Sequence, residues 1–382
     1  MAILAAVSGF LILGIILWDA FETIILPRRV TRPLRLARLF YRSTWVPWSA
    51  LARRIRPGKG REALLSFYGP LSLLLLFGVW ALGLILSFAM LHWAASSAIN
   101  VSNETPTFGT DLYLSGTTFF TLGLGDVTPR TPLARAVTVV EAGTGFGFLA
   151  IVISYLPVLY GAFSRREVNI SLLDARAGSP PTATELLRRH AEEHNVDSLA
   201  RFLHDWELWS AELMESHLSY PVLCYFRSQH NNQSWLAALT TILDACGAIL
   251  SCGEGALRWQ AQLTFAISRH AVVDLAQVLN VAPREPEIDR LPREKLTQLR
   301  AILKSAGIPI CGAETADQKL RQLRRMYEPY VSALANRLVM PLPSWTVAEG
   351  TKDNWRTSAW ERNSTQLASS PLSKSSEGDE HF

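Results

Sequence analysis

Residues 110–126 read Thr110-Asp111-Leu112-Tyr113-Leu114-Ser115-Gly116-Thr117-Thr118-Phe119-Phe120-Thr121-Leu122-Gly123-Leu124-Gly125-Asp126. Thr110 can cap a short helix running through Leu112, Tyr113, Leu114, Ser115, Gly116, Thr117, Thr118 and Phe119. Such a helix is too short to cross a bilayer, which takes about 20 apolar residues. A half-helix that dips in and returns is tolerated only where its backbone is buried in protein or lines water. The Gly-x-Gly that follows suits the return. An ion that sheds its water needs oxygens in its place, and closely spaced backbone carbonyls can supply them. Gly123 and Gly125 alternate as positions free to take backbone angles that other residues adopt only at a cost. Thr121 adds a hydroxyl oxygen at the inner end, and Asp126 a carboxylate at the outer mouth. The short helix aims its partly negative C-terminal end toward the membrane centre, which favours a cation there.

Three apolar segments surround this stretch: Ala2 to Leu26, Phe67 to Ala94 and Leu133 to Tyr160. Each is long enough to span as a helix. The first lacks a basic leading region and an Ala-x-Ala site, so it reads as an anchor that stays in place. Between the first two lie Arg28, Arg29, Arg32, Arg35, Arg38, Arg42, Arg53, Arg54, Arg56, Lys59 and Arg61 against the single acid Glu62. A basic block between apolar segments stays cytoplasmic. The N-terminus is then outside, residues 96–132 form an outer loop, and Arg165 and Arg166 close the third helix inside. The acids Glu104, Asp111 and Asp126 in the outer loop agree with this orientation. Leu36, Leu39, Phe40, Trp45 and Trp48 among the arginines fit an amphipathic helix on the inner membrane surface, touching lipid; a solvated loop is the alternative. Such a block can also mean nucleic acid, but between two apolar segments it more often sets membrane orientation, and no nucleic acid is expected as a partner.

Thr121-Leu122-Gly123-Leu124-Gly125-Asp126 resembles the potassium-channel signature Thr-Val-Gly-Tyr-Gly-Asp. The order around it also resembles the two-transmembrane pore-loop module of that superfamily: outer helix, pore helix, filter, inner helix. The resemblance covers residues 67–163. It implies that Thr121, Leu122, Gly123, Leu124 and Gly125 carry the ion-coordinating backbone, with Asp126 at the outer mouth and Thr117 and Thr118 in the pore helix. Leu124 stands where the family usually has a tyrosine that braces the filter. Thr117 stands where some relatives have a carboxylate bonded to the aspartate. The family also places a hinge glycine in the inner helix, and Gly143 is nearest in position.

Glu141 is an ionisable residue deep in the third helix, and such groups are functional by default. Two placements stay open: facing the inner cavity, or bracing the filter from behind. Gly143, Gly145 and Gly147 form a cluster that either hinges or packs closely. Pro157 should kink or break the helix. Asp19 and Glu22 share one face of the first helix; pairing with Arg28 or Arg29, or interfacial exposure, accounts for them better than an ion site.

From about Glu167 the pattern becomes that of a soluble all-α region. Thr182 with Glu185, and Thr315 with Gln318, have capping-box spacing. Asp197 can cap a helix to about His217. Further helices are expected near 233–250, 256–281, 293–305 and 316–339, with Trp206, Trp209, Trp235 and Trp259 in the core. No Gly-x-Gly-x-x-Gly follows a strand, which argues against a dinucleotide-binding domain. His190-Ala191-Glu192-Glu193-His194 has the spacing of an inverted zinc-protease motif, but it is highly charged and lacks an evident third ligand, so a solvated helix is the better reading. Cys224, Cys246, Cys252 and Cys311 match no zinc spacing and should be reduced thiols. The serine-rich, polar segment after Glu349 should be disordered.

The expectation is an all-α membrane protein: three transmembrane helices with a re-entrant pore helix and filter, followed by an all-α cytoplasmic domain. Its parts are an N-terminal helix (1–26), a basic cytoplasmic loop (27–66), a pore module (67–163), a helical domain (164–345) and a tail (346–382). The expected function is passive cation conduction, most simply of K+ with Na+ as the competing ion, by a homotetramer in the plasma (cell inner) membrane. No enzyme activity, resident cofactor or metal is implied. The alternatives are a weakly selective cation channel, and a membrane-anchored sensor or scaffold with a silent pore. The ligand of the helical domain and the gating stimulus are not legible.

Overall fold

The computed structural model describes residues 2–26, 35–95, 99–101, 107–192, 196–230, 232–305 and 313–347. They are almost entirely helical and divide into two compact units, Met1–Arg54 with Leu64–Gly161, and Ile55–Ala63 with Ala162–Phe382.

The first unit opens with α1 (Ala2–Ala20), which continues as a π-helical turn over Phe21–Ile25. Then come α2 (Leu36–Arg54), α3 (Lys59–Ala94), β1 (Ile99–Val101), α4 (Phe108–Phe119), β2 (Val127–Pro129) and α5 (Pro132–Ala177), of which residues 59–63 of α3 and 162–177 of α5 belong to the second unit. Three boundaries differ from expectation. Helix α3 begins at Lys59, eight residues before its apolar run. Thr107, not Thr110, caps α4: its hydroxyl accepts from Thr110 N–H while the Thr110 hydroxyl accepts from Thr107 N–H. Pro157 does not end α5, which runs on to Ala177. A proline there removes only the bond to the carbonyl of Ile153, and the helix on either side is long enough to carry that loss.

For Asp19 the expected partners Arg28 and Arg29 lie outside the described residues. Asp19 is buried and accepts from Ala37 N–H at 3.0 Å and from Trp80 Nε1 at 3.0 Å. Free amides at the start of α2 attract an anion, so a carboxylate on α1 fixes α2 and α3 together. Glu22 accepts from Trp18 Nε1 at 2.9 Å and lies 3.7 Å from Arg35 Nε. Trp45 packs edge-on against Tyr68, and Trp48 Nε1 donates to Leu64 O, so α2 is a helix seated on α3.

The second unit contains α6 (Ala183–Glu192), α7 (Val196–Ser219), a 3-10 turn (Pro221–Tyr225), α8 (Trp235–Cys252), α9 (Gly255–Val278), α10 (Arg293–Ser305), α11 (Ala313–Arg325) and α12 (Glu328–Leu338). Thr182 caps α6 by accepting from Glu185 N–H, but Glu185 turns to Arg188 and Arg189 instead of reaching back. Asp197 and Thr315 fall inside the first turns of α7 and α11 and not at their caps. The stretch expected as one helix to Val339 breaks at Met326 and Tyr327.

Four helices among the described residues are long and apolar enough to cross a membrane: Ala2–Ile25, Lys59–Ala94, Pro132–Ala177 and Trp235–Cys252. The last is buried along all but its final two residues, so protein already covers its apolar surface and α8 forms the centre of a globular core. Trp206, Trp209 and Trp235 are buried there, whereas Trp259 is 62% exposed. Helix α9 packs through Ala261, Thr264, Phe265 and Ser268, and Trp259 falls on the opposite side of the turn. Cys311 and residues 348–382 lie outside the described residues.

Candidate filter and pore helix

The end of α4 folds back on itself. Thr121 N–H donates to Thr118 O (3.0 Å), and Leu122 N–H donates to Thr117 O (2.7 Å), which also lies 3.4 Å from Gly123 N. Thr117 and Thr118 are buried, and the Thr117 hydroxyl turns to Leu114 O. Thus the last carbonyls of the pore helix fix where the next segment starts.

That segment alternates in handedness. Thr121, Gly123 and Gly125 have φ of +58°, +55° and +82°, whereas Leu122 and Leu124 are not among the positive-φ residues. A run with every second residue left-handed can turn successive carbonyl oxygens to one side. The glycines take these angles freely. Thr121 does so at about 1–2 kcal/mol, a strain of the kind held at functional sites by surrounding structure. Thr121 to Asp126 are all exposed in the subunit; the Leu122 and Leu124 side chains are 62% and 64% exposed.

Two contacts pin the outer end. Tyr113 donates its hydroxyl to Asp126 Oδ2 at 2.9 Å. Immediately after Asp126, β2 pairs antiparallel with β1, with Val127 opposite Val101 and Pro129 opposite Ile99. Neither strand is long enough to leave a periodic pattern in sequence.

Behind α4 sits a buried polar cluster. Glu141 on α5 is fully buried, and so is His92 on α3. Glu141 Oε2 lies 3.1 Å from His92 Nε2, and the Ser115 hydroxyl contacts both Glu141 Oε1 and Ile85 O, the latter at 2.7 Å. The cavity placement considered for Glu141 does not match, because its carboxyl is enclosed by α3, α4 and α5. Gly143 meets no atom within 4 Å where a Cβ would stand. The close approach is at Gly145, where a Cβ would press on Phe119 O and stand 2.8 Å from the Phe119 carbonyl carbon. Phe119 also packs on Phe148 at 5.7 Å between ring centroids.

Sequence reasoning missed Tyr113, Ser115 and His92 as members of this site, and left Gly145 in a cluster that either hinges or packs closely. One hint was available for His92: an ionisable residue in an apolar helix usually has a partner in another, and Glu141 needed one. The zinc-like motif gains no support. His190 Nδ1 lies 2.8 Å from Leu186 O, which only an N–H can satisfy, and its ring packs on Phe202; Glu193 and His194 lie outside the described residues. Among the described residues no group of three His, Cys, Asp or Glu side chains could hold a metal ion.

Residues 74–159 match the sequence profile of a family described as ion channel. A membrane protein of Bacillus subtilis (strain 168), YdjJ, described as uncharacterized, is 23% identical over 283 residues, covering 72% of this chain and 80% of the relative. No solved structure matches at a significant level. The matched segment runs from α3 through α4 and the alternating-φ run into α5. The profile match and the apolar helices support a membrane protein with an ion-channel segment.

Proposed function

We propose that this protein is a passive, K+-selective cation channel and that residues 121–125 form one quarter of its selectivity filter. The observation that carries the reading is the alternation of positive φ at Thr121, Gly123 and Gly125 directly after a half-helix between two apolar helices. One such run presents carbonyls on one side only, and surrounding a dehydrated ion takes a ring of them. Four copies around a closed axis supply that ring and cover the exposed Leu122 and Leu124 side chains. Asp126 sets a negative charge at the outer mouth. Cross-linking in native membranes should give tetramers; monomers and dimers alone would sink the assembly.

A weakly selective cation channel is the second reading. Leu124 favours it, because a leucine side chain offers no hydrogen bond to hold the middle of the filter. Reversal potentials in mixed K+ and Na+ separate the two: selectivity for K+ moves the potential toward the K+ equilibrium value, and weak selection leaves it near zero.

The basic segment favours an orientation with residues 27–66 and everything after α5 on the cytoplasmic side of the plasma (inner) membrane and the N-terminus outside. Helix α2 then lies at the inner surface. Its exposed Leu39, Val46 and Leu51 enter the lipid while Arg42, Arg53 and Arg54 meet anionic headgroups, at about 1 kcal/mol per basic residue. No nucleic acid is invoked, and the ligand of the helical unit is unassigned.

A further inference from the structure

The polar cluster behind the pore helix has a definite proton inventory. Ser115 Oγ carries one hydrogen, and it stands within bonding distance of two oxygens, Ile85 O at 2.7 Å and Glu141 Oε1. If the Glu141 carboxyl were ionised, both would be pure acceptors competing for that hydrogen, and one close pair of oxygens would have none between them. His92 gives a second count. Its Nε2 faces Glu141 Oε2, while its Nδ1 is buried with no hydrogen-bond partner. A charged imidazolium would leave a buried N–H donor unpaired there; a neutral ring protonated on Nε2 leaves only a bare lone pair, the cheaper omission.

One arrangement satisfies every short contact. His92 Nε2–H donates to Glu141 Oε2, a protonated Glu141 Oε1–H donates to Ser115 Oγ, and Ser115 Oγ–H donates to Ile85 O. The chain is neutral throughout, as suits fully buried side chains inside an apolar bundle. It ties three elements: α3 through Ile85 and His92, the pore helix through Ser115, and α5 through Glu141. Ser115 lies two residues before Thr117, whose carbonyl sets the start of the alternating-φ run.

We infer that Glu141 is a positioning residue: a neutral carboxylic acid that donates to Ser115, and through Ser115 and His92 holds the pore helix and the filter's inner end in register. The inference rests on the reading of that run as a cation filter, and its test has two arms so that the two can fail separately. In the first, wild type, Glu141→Gln, Glu141→Ala and Ser115→Ala are reconstituted in liposomes, and K+ over Na+ permeability is read from reversal potentials, with cross-linked tetramer yield as the assembly control. Glutamine keeps one donor and one acceptor, so Glu141→Gln should assemble and keep the wild-type ratio. Glu141→Ala and Ser115→Ala should lose about tenfold in that ratio, the worth of one buried hydrogen bond. Ser115→Ala changes volume so little that it remains informative if Glu141→Ala does not assemble.

A Glu141→Gln channel that forms tetramers but loses selectivity would overturn the inference, since it would require an ionised carboxylate. An unchanged ratio in Ser115→Ala would overturn it too. In the second arm, the infrared difference spectrum of wild type minus Glu141→Gln should contain the C=O stretch of a protonated carboxylic acid. Its absence would overturn the inference whether or not the protein conducts. A wild type that passes no ions but shows that band would sink the filter reading and leave the protonation standing.

Discussion

The Tyr113 hydroxyl, from the middle of the pore helix, closes on the residue after the filter with a 2.9 Å bond to the Asp126 carboxylate. With the middle of the filter occupied by leucine and not tyrosine, this outer latch and the buried cluster behind α4 share the bracing. Tyr113→Phe removes the bond and little else. The expected result is a lower K+ over Na+ ratio with unchanged tetramer yield; an unchanged ratio would show that the latch does not hold the filter.

The inner-helix glycines should behave differently from one another. A methyl at Gly145 collides with the backbone of Phe119, whereas a methyl at Gly143 meets open space within the subunit. Overpacking of this kind costs about 1–3 kcal/mol. Gly145→Ala is therefore expected to lower the thermal stability of the tetramer and impair K+ flux. Gly143→Ala should leave stability equal or slightly higher, because alanine favours helix over glycine. Melting and flux measured on both variants check this, and equal effects would refute the assigned close approach.

Much of this unit is legible in sequence because its signals are periodic or compositional. Apolar length gave the spanning helices, and two glycines in alternation gave the left-handed positions 123 and 125. Thr121 was not legible as left-handed, since nothing in a threonine announces positive φ; the Thr117 and Thr118 carbonyls impose it. Nor was the His92–Glu141 pair, which depends on how α3, α4 and α5 cross; close packing was one reading of the glycine cluster, but not that Gly145 alone would meet Phe119. In the second unit helix positions followed from amphipathic spacing, but caps did not: Asp197 and Thr315 have capping chemistry without capping positions. Trp259 was misplaced because size alone does not say which face of α9 turns inward.

The second unit carries a buried charge network that should dominate its stability. Arg290 Nη2 lies 2.5 Å from Asp244 Oδ2 and its Nη1 lies 3.3 Å from Glu328, while Tyr327 donates its hydroxyl to Asp244 Oδ1. Removing one partner strands a buried charge, at about 3–5 kcal/mol. Arg290→Ala should lower the melting temperature of the full-length protein strongly, and the pair Asp244→Leu with Arg290→Met less than the sum of the single changes. Additive losses would mean the two residues are not coupled.

Glu185 makes the same unit acid-sensitive. Burial raises its carboxyl, but hydrogen bonds and charge from Arg188 and Arg189 outweigh that and hold it at about 2, against an ordinary 4.5. A folded-state value below the unfolded one gives stability that is complete above pH 4.5 and lost as pH falls toward 2. After allowance for partial exposure the loss is about 1–2 kcal/mol. Glu185→Gln should remove this step from the pH dependence of thermal unfolding between pH 5 and about 2; a step of unchanged size would assign it to other carboxylates.

The central claim is that the alternating run 121–125 conducts. The direct measurement is K+ flux into liposomes carrying purified full-length protein, beside the Gly123→Ala and Gly125→Ala variants. Both glycines sit at positive φ, where alanine is strained, so either change disturbs the carbonyl line without altering charge. K+ flux down its gradient through wild type, abolished in both variants that still assemble, is the predicted result. Absence of flux in assembled wild type, or equal flux in all three proteins, would contradict it and leave a membrane-anchored scaffold with a silent pore.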